Sequence, residues 1–129
     1  MSQNLLPKKI GRYEILSRLG AGGMGIVYKA LDPVLGRHVA LKAGRKANLS
    51  VQSANEAQVD MLLKEARVAA QFIHPNIAIT YDAGVDRELF YMALEYVDGT
   101  GLEMYTTEAN KLPVNQVLEC IFNICYALD

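Results

Sequence analysis

Four glycines fall within six residues, Gly20-Ala21-Gly22-Gly23-Met24-Gly25, and β-prone sequence flanks them on both sides. Each glycine costs roughly 0.5–1 kcal/mol more than alanine to order in regular structure. A tight hairpin needs only one or two of them. A run this dense is expected where the backbone must lie close against a ligand that leaves no room for Cβ atoms. Three of the four (Gly20, Gly22, Gly25) have G-x-G-x-x-G spacing, with Val27 two residues beyond the last.

That spacing occurs in several kinds of nucleotide site, so the flanks decide. A dinucleotide fingerprint opens a helix after its glycines. Here Ile26-Val27-Tyr28-Lys29-Ala30-Leu31 is rich in β-branched and aromatic residues and is broken by Asp32-Pro33, which predicts a strand and a turn. A Walker loop continues Gly-Lys-Ser/Thr, and Ile26-Val27 stands in those places. What remains is a strand, a glycine loop and a second strand.

A third strand follows, Arg37-His38-Val39-Ala40-Leu41-Lys42. Side chains alternate along a strand, so Val39 and Leu41 are expected toward a core, with Ala40 and Lys42 together on the other face. A small residue beside a lysine leaves space for a flat ring, with an ammonium to meet a phosphate. Beyond it, Ser53-Ala54-Asn55-Glu56 has capping-box form. Leu62, Ala66, Ala69, Ala70 and Ile73 then recur at helical spacing, up to Pro75. The acids on this helix are Glu56, Asp60 and Glu65. Residues 77–82 and 88–94 are expected to be two strands about a turn at 84–87, and the second runs into Glu95-Tyr96-Val97-Asp98-Gly99.

Taken in order, the glycine loop, Val39–Lys42, Glu65 ahead of His74-Pro75-Asn76, and Glu95–Gly99 resemble the ATP-binding half of a protein kinase. Wording such as Gly11-Arg12-Tyr13-Glu14-Ile15 and Gly-Gly-Met-Gly is similar to bacterial serine/threonine kinases. The resemblance implies an α+β fold: a kinase-like N-lobe over residues 11–98, with a five-stranded, mostly antiparallel sheet and helix C. Residues 1–10 would be a tail, and 99–129 the hinge exit and first C-lobe helices. It further implies that Leu19, Gly20, Ala21, Gly22, Gly23, Met24, Gly25, Val27 and Ala40 enclose ATP, and that Lys42 meets its phosphates and pairs with Glu65, with Asp60 as the alternative acid. Leu94 would stand behind the adenine, while Glu95 and Val97 offer main-chain groups to its edge. Where many kinases place a ribose-binding carboxylate, this chain has Gly101, with Glu103 two residues later.

His-Arg-Asp, Asp-Phe-Gly and Ala-Pro-Glu do not occur in these residues. The resemblance thus implies Mg²⁺ as well as ATP, with the Mg²⁺ ligands outside this sequence, and an isolated stretch without kinase activity. A pseudokinase-like nucleotide-binding or interaction module is the alternative. Val117, Leu118, Ile121, Phe122, Ile124, Cys125 and Leu128 make the last helix apolar nearly all round. Such a helix is expected to seek cover, and self-association through residues 114–128 is one way to find it. Lys+Arg 13 against Asp+Glu 14 argues against general nucleic-acid binding. Cys120 and Cys125 have neither disulfide nor metal-ligand spacing. No signal-peptide core or membrane-length apolar run is present in these residues, so a cytoplasmic setting is expected, with a membrane anchor elsewhere in the parent protein left open and protein substrates as the partners of the intact enzyme.

Overall fold

The computed structural model describes residues 6–22, 25–45 and 56–128. One six-stranded antiparallel sheet forms the body: β1 (Lys9–Ile10), β2 (Tyr13–Gly22), β3 (Gly25–Asp32), β4 (Arg37–Arg45), β5 (Thr80–Asp86) and β6 (Leu89–Glu95), in spatial order β1-β2-β3-β4-β6-β5. Helix α1 (Glu56–Ala69) joins β4 to β5. After β6 come two short 3-10 turns, Leu102–Tyr105 and Glu108–Asn110, and then helix α2 (Val114–Leu128).

Period-two alternation sets the two faces of the sheet. Tyr28, Ala30, Val39, Leu41, Ala43 and Ala93 are buried and form one core with Ile10 and Tyr13. Their sequence neighbours Val27, Ala40, Lys42, Met92 and Leu94 are only partly covered and share the opposite face. The expected division at Val39–Lys42 is therefore present.

The first hairpin is tied to the far edge of the sheet. Arg12 Nη2 lies 3.2 Å from Asp32 Oδ2, and Arg12 Nη1 lies 3.5 Å from Asp82 Oδ2. The Tyr13 hydroxyl donates to Asp82 Oδ2 at 2.9 Å, and the Gly11 amide donates to Asp86 Oδ2 at 2.8 Å. These bonds carry β2 across to β5 although three strands separate them, so the sheet curls on itself. Asp32 is wholly buried and also accepts the amides of Val34 (3.0 Å) and Leu35 (3.3 Å). Burial alone would push its carboxyl up. The Leu35 and Val34 amides and the Arg12 guanidinium outweigh burial and hold it below the ordinary carboxylate range. Burial, and then the bond to Asp82, raises the Tyr13 phenol above its usual range.

Several boundaries differ from the sequence reading. β4 continues through Gly44 and Arg45, which pair with Phe90 and Leu89 and so lengthen the ladder past Lys42, the end of the strand expected from the sequence. β5 begins at Thr80 and runs to Asp86, and the turn shrinks to Arg87-Glu88, where Arg87 takes φ 55°. The two-residue β1 was not foreseen. On α1, Ala66 is buried against the sheet side, but Ile73 lies past the helix and is 82% exposed. The helix ends because the amides of Gln71 and Phe72 turn back to the carbonyls of Val68 and Ala69, tightening the last turn ahead of Pro75. The capping box at residues 53–56 falls largely outside the described residues. Among the described residues no helix is long and apolar enough to cross a membrane.

Candidate nucleotide-binding site

β2 and β3 form a hairpin whose tip is the glycine run. Gly20 pairs with Val27, Ala21 with Ile26 and Gly22 with Gly25. A register shift at Leu19 breaks the ladder just before the tip, and Leu19 is left exposed. Gly23 and Met24 lie outside the described residues. The glycines differ in what they allow. Gly25 has φ 132°, and a Cβ there would collide with the carbonyl oxygen of Ala43. Its bare backbone is required for β3 to lie against β4. At Gly20 and Gly22 a Cβ would meet nothing within 4 Å, so the space over that part of the hairpin is open.

The register of β3, β4 and β6 collects the other candidates. Val27 pairs with Lys42, Lys42 with Met92, and Ala40 with Leu94. Because directly paired residues share a face, Val27, Ala40, Lys42 and Leu94 lie together beside the hairpin tip. Lys29 and Met92 join them on that face and were not singled out from the sequence. The alternation that picked out Ala40 and Lys42 picks out Met92 as well, two residues before Leu94.

At the end of β6 the chain is pinned by Glu95. Its amide donates to the Ile79 carbonyl at 2.7 Å, and its Oε2 accepts the Ile79 amide at 3.1 Å. The side chain of Glu95 is thus used to fix the strand exit. Val97 follows, two-thirds exposed. Behind this exit, Tyr96 is covered by the Lys29 ammonium, 4.5 Å from the ring centroid.

Glu65 stands on α1, outside the strand ladder that collects this group. It is exposed on α1 and lines an open groove of about 520 Å³ with Met61, Val68, Phe72, Ile77 and Thr80. Among the described residues Glu65 forms no ion pair. The helix that carries it, α1, packs on β5. Asp60, the alternative acid, is also exposed. After the strand exit, the Glu103 carboxylate folds back onto Gly101, over the place a side chain at 101 would occupy. Among the described residues no cluster of three or more His, Cys, Asp or Glu could hold a metal ion.

The glycine hairpin, the lysine strand beside it and the pinned strand exit have counterparts in known proteins. The sequence profile of the protein kinase domain matches residues 13–129. The chain belongs to the protein kinase family. Among kinase relatives, serine/threonine-protein kinase PrkC of Bacillus subtilis is 36% identical over 126 residues, covering 96% of this chain and 19% of PrkC. A probable serine/threonine-protein kinase of Streptomyces coelicolor is 38% identical over 128 residues, covering 95% of this chain and 18% of that protein. The crystal structure of the Mycobacterium tuberculosis PknI kinase domain superposes with a TM-score of 0.75 at 28% identity, covering 97% of this chain and 50% of that domain. The chain therefore spans about half of a solved kinase domain and about a fifth of these curated kinases.

Proposed function

We propose that this chain is the ATP-binding lobe of a serine/threonine protein kinase, which transfers the γ-phosphate of ATP to serine and threonine hydroxyls of proteins. The observation that carries the reading is the ladder register, which sets Lys42, Val27, Ala40 and Leu94 on one face beside the hairpin tip. The residues fit the nucleotide. Gly20 and Gly22 leave open space where a triphosphate would approach, and small Ala40 opposite Leu94 leaves a slot for a flat ring. Leu19 and Val27 would cover the ring from above, and the Glu95 carbonyl and Val97 amide would meet its edge. Gly23 and Met24 would complete the loop over the phosphates. Lys42 would hold the phosphates by charge, and ATP with Mg²⁺ would supply the transferable group.

In the active arrangement Glu65 pairs with Lys42 and holds its ammonium toward the phosphates. Residues 11–98 form the lobe, and residues 99–129 lead into the second one. The setting is cytoplasmic, where ATP and protein substrates meet. Direct binding of a fluorescent ATP analogue, competed by unlabelled ATP, tests the reading. Saturable, competed binding supports it, and its absence contradicts it.

The surface of α2 adds a second element to the proposal. Leu118, Ile121, Phe122, Tyr126 and Leu128 are all exposed, the last at 80%. Covering each such side chain is worth about 1.5–3 kcal/mol. Two copies of the chain meet through residues 114–128. Analytical ultracentrifugation that finds only monomer at high micromolar concentration contradicts this part.

A further inference from the structure

Tyr96 is the first residue past the β4–β6 ladder, whose last pair is Val39 with Glu95. From there the main chain leaves the sheet, carrying the Glu95 carbonyl and the Val97 amide that the proposed reading sets at the adenine edge. The Tyr96 ring ties this exit to the sheet. The Lys29 ammonium stands over its face, 4.5 Å from the centroid, and His38 meets it edge-on with centroids 6.4 Å apart and planes at 74°. Lys29 belongs to β3 and His38 to β4, so one ring joins the exit to two strands.

The starting point of the Lys29 side chain gives the contact its consequence. Lys29 pairs with Ala40, and Ala40 with Leu94, so the three form one row across the face that carries the slot. A lysine chain has the length to lie across Ala40 and fill that slot. Its ammonium is instead drawn to the ring at the exit. Both Lys29 and Tyr96 are partly buried, and a cation over an aromatic face is held more firmly there than in open water. Val27, which would cover the adenine, lies two residues before Lys29 on the same face of β3.

We propose that Lys29 and Tyr96 form a clamp that sets the adenine slot: the contact of ammonium and ring holds the strand exit against β3 and keeps the lysine chain off Ala40. The inference rests on the nucleotide-binding reading and makes Lys29 a positioning residue, acting through Tyr96 and touching no phosphate. Two lysines on one face thus have separate tasks, Lys42 at the phosphates and Lys29 at the base.

Adenosine separates the two tasks, because it has the base and no phosphate. Its binding and that of ATP are titrated for the whole chain and for its Lys29→Met and Tyr96→Leu variants. The clamp predicts that each variant loses about three- to tenfold in affinity, by the same factor for both ligands, with a melting transition near that of the parent. The double variant loses no more than either single one, because both substitutions remove the same contact. Tyr96→Phe keeps the ring face and with it the parent affinity. A Lys29→Met variant weakened toward ATP but not toward adenosine makes Lys29 a phosphate ligand and overturns the clamp. Unchanged affinity for both ligands in Lys29→Met and Tyr96→Leu also overturns it, while leaving the nucleotide reading intact. A parent chain that binds neither ligand defeats that reading, and the slot with it. NMR of the unmodified chain adds a check that needs no variant. The Lys29 Hε protons should lie upfield under the ring current of Tyr96, and ordinary lysine positions for them contradict the clamp.

Discussion

Val27 and Lys42 are direct partners across the β3–β4 ladder, which sets the lysine one strand away from the glycine hairpin and on its open side. If that pairing serves a triphosphate, removing the ammonium should weaken nucleotide binding without unfolding the sheet. Lys42→Ala is expected to lower affinity for ATP at least tenfold, about 1.4 kcal/mol, with a melting transition near that of the parent chain. Lys111→Ala, an exposed lysine beside Glu108, should leave affinity unchanged. Isothermal titration of both variants checks the difference.

Ala40 and Leu94 face each other in the β4–β6 ladder, and the proposed slot depends on the smallness of the first. Ala40→Leu should fill it. Because position 40 is only partly buried, the cost to stability should stay below about 1.5 kcal/mol, while binding of an adenine nucleotide falls tenfold or more. Equal binding by Ala40→Leu and the parent would place the adenine elsewhere.

The two ends of the glycine run should separate folding from binding. Gly25→Ala forces a Cβ onto the Ala43 carbonyl at a φ that L-residues rarely adopt, so the strand pair must part. A loss of roughly 1–3 kcal/mol in chemical denaturation is expected. Gly22→Ala meets open space and should change stability by no more than about 0.5–1 kcal/mol, yet reduce ATP affinity several-fold by intruding on the phosphate approach.

Much of this arrangement is legible in the sequence, for local reasons. The period-two pattern of Val39–Lys42 and the turn residues Asp32-Pro33 are contained within a few positions, and the structure follows them. What escaped is what depends on distant partners. β4 runs past Lys42 into Gly44 and Arg45, and nothing local shows that Phe90 and Leu89 pair with them. The curl of the sheet rests on Arg12 meeting Asp32 and Asp82, contacts between residues far apart in sequence that no periodicity predicts. The role of Glu65 rests on its order in the chain, and the packing of its helix on β5 is a contact between distant segments that no periodicity shows.

The Arg12–Asp32 contact gives the lobe an acid limit. Asp32 is held below the ordinary carboxylate range in the folded chain, so the unfolded chain binds its proton more readily. Its contribution is present above the unfolded value near pH 4 and is lost as pH falls through the lower folded value. Stability should therefore drop progressively below about pH 4. Asp32→Asn should flatten that limb while lowering stability at neutral pH by about 1–3 kcal/mol, since the guanidinium loses its charged partner. Urea melts of both chains from pH 7 to pH 3 check the slope.

The central claim is that the Lys42 amine and the open backbone of residues 20–22 meet the same triphosphate. An acyl phosphate of ATP, which acylates the amine lying beside its phosphates, measures this directly when the modified lysine is mapped by mass spectrometry. The account predicts acylation concentrated at Lys42 and suppressed by excess ATP. Labelling spread over Lys8, Lys9, Lys29, Lys64 and Lys111 as readily as Lys42, and unaffected by ATP, would contradict it.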